Sequence, residues 1–440
     1  MKKYDWNQLK GDMLFAWQQC IDEGLAVEEF KNECKLCDES EKYSEQDAEN
    51  LYEKMLNSKM RKDFPFYEPN DFDEILSECT FSDKIYRSNI TPDKIKGAWA
   101  GRICGCMLGK PLEGQPLNYR NKVFKAANNL PITRYLYKKE TPIEVFEEKE
   151  HYDNCFFVDN FCVMPGDDDT NYTVLSMRLY EKYGENFTSD DVLDFWLLQL
   201  PFLAVCTAER VAYKNALHGI GAPQSALINN PYREYIGAQV RVDFYGYVHH
   251  GQPEKAIFAA WKDGRISHVK NGLYGGMLIA AITSLATCFD NTYDLVKRAL
   301  DYIPKNSRLK KYCNDVITLY DSGEDFDGVL NYIRTQFPNE TNLHTWVHVI
   351  PNALIVISAL LYGKSDFSKS ITLAVSAGFD TDCNGATVGS IVGLMNGFSK
   401  IDEKWYTPIN QRTKTNLFDV PEISFDQLTE RTLKIINSLN

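Results

Sequence analysis

Two short acidic stretches carry the residue types best suited to chemistry. Pro165-Gly166-Asp167-Asp168-Asp169-Thr170 places three carboxylates in a row, and Asp380-Thr381-Asp382-Cys383 places two acids two apart in a segment with few other charges. Neighbouring carboxylates repel unless a cation sits among them, and hard divalent ions prefer oxygen ligands. An Asp run at a helix start also has a plain structural use, in which one acid caps the helix and the others stay in water. Solvation is a poorer account of Asp380 and Asp382, because small and apolar residues flank them.

The elements that must position these acids are marked by glycine. Glycine recurs at every fourth position at 385, 389, 393 and 397, directly after the second acidic pair, and again at 97, 101, 105 and 109. Four-residue spacing stacks residues on one helix face. Each mid-helix glycine costs about 0.5–1 kcal/mol relative to alanine, so a ladder of four asks for a packing reason. Two ladders in one chain predict two helices crossing at close range. In a membrane such a stripe would mark a helix dimer, but Lys96, Arg102 and Lys110 interrupt the first one. Glu113 follows the first ladder, so packed ladders bring it toward the Asp pair that opens the second. Five or six carboxylates so gathered need cations, and two divalent ions are the natural count.

Other candidates are weaker. Ser267-His268 precedes a small-residue segment with Gly272, Gly275 and Gly276, where a histidine is more often structural than catalytic. His344 and His348 have the i, i+4 spacing of a zinc helix without the glutamate that follows the first histidine in the protease motif. Cys34 and Cys37 have zinc spacing without a second pair. No nucleophile elbow, P-loop or dinucleotide glycine fingerprint is present.

The chain has 440 residues and a formal net charge of −13, which argues against binding a nucleic-acid backbone. The longest apolar stretch, 349–362, is shorter than the ~20 residues of a membrane span and contains Pro351 and Asn352. The opening six residues lead into no apolar run, and the twelve cysteines are scattered, with Cys104, Cys106, Cys206 and Cys288 among apolar neighbours. A soluble protein of a reducing cytoplasm is expected.

Residues 1–90 read as a charged, helical N-terminal extension with amphipathic segments at 18–25 and 45–60, and residues 91–440 as the main domain. Thr91 and Pro92 are an N-cap and first-turn pair. The acids 167–169 occupy a helix N-terminus, since Leu175 with Leu179 and Val174 with Met177 share faces behind them. Further helices are expected at 189–200, 203–216, 253–261, 271–288, 292–302, 312–321, 326–336, 349–362 and 366–376. Residues 115–160 are more aromatic and β-prone, which predicts loops with a short hairpin. The fold class is all-α.

Taken together, the 97–113 ladder ending in Pro111-Leu112-Glu113, Asp168-Asp169-Thr170, Ser267-His268 and Asp380-Thr381-Asp382 before the second ladder resemble the ADP-ribosylglycohydrolase family, which includes the dinitrogen-reductase-activating glycohydrolases. The resemblance spans roughly residues 92–400. It implies an orthogonal helical bundle with a binuclear Mg²⁺ centre at the base of a cleft. Asp168, Asp169, Asp380 and Asp382 match the family's metal ligands, and their neighbours Asp167 and Cys383 join the candidate set. Glu113 matches the mobile carboxylate used in catalysis. Ser267, His268, Asn271 and Tyr274 match cleft residues that contact substrate, and Gly237 and Arg241 stand in the place of a loop that contacts the ribose-phosphate portion. The chain departs from the family where Asp167 stands for a common Thr, Cys383 for Thr or Ser, Cys106 for Asp and Phe379 for Gly.

The activity so implied is Mg²⁺-dependent hydrolysis of a glycosidic bond at C1 of a ribosyl group. The first candidate substrate is an ADP-ribosyl adduct, N-linked as to arginine on a protein. The same machinery acting on a nucleoside or another small glycoside is the second reading, and a non-catalytic binding member is the third. The chemistry suits the residues, because cleavage at C1 passes through an oxocarbenium-like state that a carboxylate and rigid positioning assist.

Overall fold

Thr91 and Pro92 begin the helix that organises the fold. The Thr91 hydroxyl accepts the Lys94 N–H at 3.2 Å, Pro92 takes the first helical position, and the helix runs Pro92–Gly109. In the structure, a computed structural model that describes residues 8–81, 84 and 86–439, this first glycine helix lies against a second, Thr381–Asn396. A Cβ added at Gly97, Gly101, Gly105 or Gly109 would collide with the backbone carbonyl oxygen of Gly393, Gly389, Gly385 or Thr381 respectively. The partner numbers fall as the ladder rises. The two helices are therefore antiparallel and in register along their whole length, where the spacing alone suggested a local crossing. Contact at this range adds backbone dispersion and Cα–H···O contacts that a side chain would forbid. Its geometric consequence is that the N-terminus of the second helix meets the C-terminus of the first, where the Thr381 hydroxyl donates to the Gly109 carbonyl at 2.8 Å.

Helices Asn271–Leu285 and Val349–Gly363 pack around this pair and are buried on nearly every face, which explains why their sequences are apolar all round. Among the described residues the protein is all-α, with one small antiparallel sheet, Arg412–Lys414 with Glu422–Ser424, in which Thr413 faces Ile423. The helix expected at 326–336 is observed as Phe326–Gln336, and the one expected at 312–321 begins four residues earlier, as Arg308–Asp321, where Ser307 caps it. No hairpin forms in 115–160. Helices Leu117–Ala126 and Lys149–Asn154 stand there instead, and Phe146, Tyr152 and Phe157 pack edge to face, so the aromatic content serves a cluster rather than a strand. Cys104 and Cys106 are core residues as expected, but Cys206 is exposed and Cys288 half-buried.

The N-terminal helices Met13–Asp22, Lys31–Glu39 and Glu45–Leu56 share a small core of their own that includes Met13, Cys20, Cys34, Leu51 and Met55. Gly24, with φ of 85°, ends the first of them two residues after Asp22, so the amphipathic segment starts and stops earlier than its pattern suggested. This unit is held to the main body by buried polar pairs. Glu23 meets Arg233 and Lys270, each at 2.6 Å, and Glu68 and Glu234 share Arg308, each at 2.7 Å. The opening six residues lie outside the described residues.

Candidate functional site

Asp167 caps the helix Asp168–Tyr183, and its Oδ1 accepts the Asp169 N–H at 2.9 Å. That bond turns Asp169 inward, where it is fully buried, and leaves Asp168 partly exposed at the rim. Arg102, from the first glycine helix, reaches Asp169 twice: its Nε donates to the backbone carbonyl at 2.8 Å and its guanidinium lies 3.7 Å from the carboxylate. The same guanidinium pairs with Asp243 at 2.8 Å.

The second acidic pair arrives by a strained turn. Gly378 and Phe379 both have left-handed backbone, with φ of 93° and 55°, and for a bulky residue such as Phe379 this costs about 1–2 kcal/mol. The Asp380 N–H then donates to Asn352 Oδ1 at 3.2 Å, and Asp382 Oδ1 accepts the Cys383 N–H at 3.0 Å. Glu113 follows the short turn Lys110–Leu112 and is partly exposed. Gly114 after it has φ of 66° and lies against the Trp346 ring, where a Cβ would come within 2.9 Å, so only glycine lets the chain turn there.

The ladders thus bring Asp167, Asp168, Asp169, Asp380, Asp382 and Glu113 into one cluster. Burial, reinforced by the neighbouring carboxylates, holds Asp169, Asp380 and Glu113 well above the usual carboxylate range, and pushes Asp168 up to about 8. Asp167 goes the other way. Burial works against its charge, but the ammonium of Lys110 beside it more than compensates. Asp169 Oδ1 and Asp380 Oδ1 are buried without a hydrogen-bond partner. Two groups of ligand-type atoms, each within 4.8 Å of one another, overlap here: Cys106, Asp167, Asp169 and Asp382 form one, and Asp380, Asp382 and Cys383 the other. Carboxylate oxygens buried without a hydrogen-bond partner fit a hard divalent cation. The two cysteines fit it poorly, since burial keeps both thiols protonated.

The remaining candidates lie elsewhere in the site's surroundings. Arg241 is fully buried and pairs with Glu209 at 2.6 Å and with Asp263, donates to Ser267 Oγ at 2.9 Å, and stacks 4.9 Å from Trp196. Ser267 Oγ and His268 Nδ1 are 2.8 Å apart, and burial, with Arg241 nearby, keeps His268 neutral. Gly237 gives this network room, because a Cβ there would overlap the Glu209 carboxylate. Asn271 is committed to Glu234 and Glu68, and the Tyr274 hydroxyl to the Pro69 carbonyl, so both contact the N-terminal unit. Lys110, Arg102, Glu209 and Asn352 are contributors that sequence reasoning missed. Arg102 was visible as a charge inside the first glycine helix and Lys110 as one directly at its end, where a buried position demands a partner.

His344 and His348 acquire an unforeseen neighbour in Asp22, which His344 Nε2 meets at 2.7 Å. His348 Nδ1 accepts the Ile350 N–H at 3.2 Å, which leaves the proton on Nε2 and no lone pair there for a metal. Cys34 and Cys37 are buried in the N-terminal core, their thiols pushed up by burial to about 12 and about 11.

The family model described as ADP-ribosylglycohydrolase matches residues 87–434. A solved structure entitled "ADP-ribosylglycohydrolase-related protein complex" is 16% identical, with 79% of this chain and 98% of that chain covered and a TM-score of 0.46. No curated protein sequence matches. The family match spans most of the chain: the protein belongs to the ADP-ribosylglycohydrolase family, and its helices build that family's all-α fold. Membership supports a glycohydrolase activity in general terms.

Proposed function

We propose that this member of the ADP-ribosylglycohydrolase family is a Mg²⁺-dependent hydrolase that cleaves the bond at C1 of a ribosyl group, with an ADP-ribosyl adduct N-linked to arginine as its substrate and the cytoplasm as its place of action. The observation that carries the reading is the convergence of Asp169, Asp380 and Asp382, with orphaned buried oxygens, beneath the partly exposed Glu113. The net charge of −13 disfavours a nucleic-acid partner, and no helix among the described residues is long and apolar enough to cross a membrane.

A divalent cation bound by these acids would neutralise them and orient ribose hydroxyls. Asp169, Asp380 and Asp382 would hold it, and Arg102 fixes the position of Asp169. Glu113 stands at the rim, where its carboxylate assists attack of water at C1 or stabilises the positive charge that develops there. Arg241, Glu209, Ser267 and His268 form a buried, hydrogen-bonded network whose Glu209 carboxylate is close enough to raise Asp168, and it keeps this side of the site in one geometry.

Purified protein with Mg²⁺, incubated with ADP-ribosyl-arginine beside a panel of nucleosides and glycosides, is expected to release ADP-ribose from the arginine adduct. Cleavage confined to the nucleosides or glycosides would reassign the substrate, and cleavage of nothing would remove the hydrolase reading.

A further inference from the structure

The two overlapping ligand groups share Asp382 but differ in what already occupies them. In the group of Cys106, Asp167, Asp169 and Asp382, the Lys110 ammonium touches Asp167 Oδ2 and lies 4.0 Å from Asp382 Oδ2. Asp167 is then engaged on both oxygens, with Oδ1 on the Asp169 N–H and Oδ2 on the lysine. The backbone that carries the lysine is fixed. Lys110 directly follows Gly109, whose Cα is pressed against the backbone of Thr381 and Asp382, and its ammonium lies 4.8 Å over the ring of Phe156. In the other group, Asp380, Asp382 and Cys383, the ammonium reaches only the shared Asp382; Asp380 Oδ1 is buried without a hydrogen-bond partner, and Asp169 Oδ1, 3.7 Å from Arg102, accepts no hydrogen bond either, so both oxygens are open to an ion.

We propose that Lys110 is a built-in cation filling one of the two positions in this centre, so that the protein binds a single divalent ion, held by Asp169, Asp380 and Asp382. This rests on the reading of the cluster as a hydrolase metal centre and alters its count from the two ions first expected. The physical reason is occupancy: the ammonium sits against Asp167 Oδ2 and within 4.0 Å of Asp382 Oδ2, in the space a second ion would need, and it already neutralises Asp167. The Lys110 and Asp167 pair is internally neutral. It fills the cage without adding to the charge that the single ion must balance.

Mn²⁺ serves as the probe. Metal-stripped full-length protein is loaded with Mn²⁺, and bound metal per chain is counted by elemental analysis and by calorimetric titration, with electron paramagnetic resonance reporting isolated against coupled ions. The wild type is expected to bind one Mn²⁺ with the spectrum of an isolated ion, and Lys110→Arg, which keeps the charge, also one. Lys110→Met is expected to bind two, with a spin-coupled spectrum. Two ions in the wild type, or one ion in a folded Lys110→Met, would overturn the proposal. If Lys110→Met does not fold, the wild-type count and spectrum decide alone. Turnover is measured separately on the arginine adduct and the nucleoside and glycoside panel: one ion without any turnover would fell the hydrolase reading and leave the count standing, two ions with turnover would do the reverse, and no bound ion would fell both.

Discussion

Two of the protein's buried acidic clusters are built on opposite rules. In the one beneath the N-terminal unit every acid has a cation: Glu234 and Glu68 share Arg308, and Glu23 takes Arg233 and Lys270. Burial alone would raise Glu234, but Arg308 and His348 outweigh it and hold the carboxyl far below its usual range. In the cluster at the end of the glycine helices, Asp380 and Glu113 are raised instead, and two buried carboxylate oxygens, Asp169 Oδ1 and Asp380 Oδ1, accept no hydrogen bond. The first cluster is closed to water, whereas the partly exposed Asp168 and Glu113 open the second one above the buried Asp169, Asp380 and Asp382. A saturated buried cluster fastens two parts of a fold together, whereas one left short of cations is shaped for something that arrives from outside.

The contrast is sharpened most by substitutions that should touch one cluster and spare the other. Glu113→Gln should lower turnover by roughly 10²–10⁴-fold, the range for loss of a general acid or base, while Mn²⁺ binding and thermal stability stay near wild type. Unchanged turnover would remove Glu113 from the chemistry. Arg308→Met should act in the opposite way. It strands Glu68 and Glu234 in a buried site, which costs about 3–5 kcal/mol, so thermal melting should fall by several degrees while the folded fraction keeps its Mn²⁺ affinity. A melting point unmoved by Arg308→Met would mean that the saturated cluster is not a fastening.

Ion addition should stabilise only through the unsaturated cluster. At a hundred times its dissociation constant, Mg²⁺ or Mn²⁺ should add about 2.7 kcal/mol to stability, a gain that Asp380→Asn should reduce and Arg308→Met should keep. The smallest effect concerns pH. Because Glu234 is depressed in the folded state, its contribution is fully present above the unfolded value of about 4.3 and is lost as pH falls below it. Melting curves collected from pH 6 downward should therefore drop more steeply for the wild type than for Glu234→Gln.

The same contrast explains what could be read from the sequence. The ladders and the paired acids were readable because their information is local: glycine at every fourth position forces a close partner, and Asp380 and Asp382 sit beside it. Lys110 and Arg102 were equally local, yet in a linear reading they served only to argue against a membrane helix. Their partners Asp167 and Asp169 lie far along the chain, and nothing in the spacing announces the pairing. Asn271 and Tyr274 illustrate the same difficulty from the other side, since the N-terminal residues Glu68 and Pro69 that engage them are about two hundred positions away. The sheet at Arg412–Lys414 and Glu422–Ser424 is three residues per strand, too short to leave a period-two signature.

The most direct test is to locate the ion. A crystal of the protein soaked in Mn²⁺ and measured at the manganese absorption edge should show anomalous density among Asp169, Asp380 and Asp382, below Glu113, and none beside Glu234 and Arg308. Absence of density at the three aspartates in a protein that still hydrolyses its substrate would contradict the account, because the orphaned oxygens would then have no cation to hold.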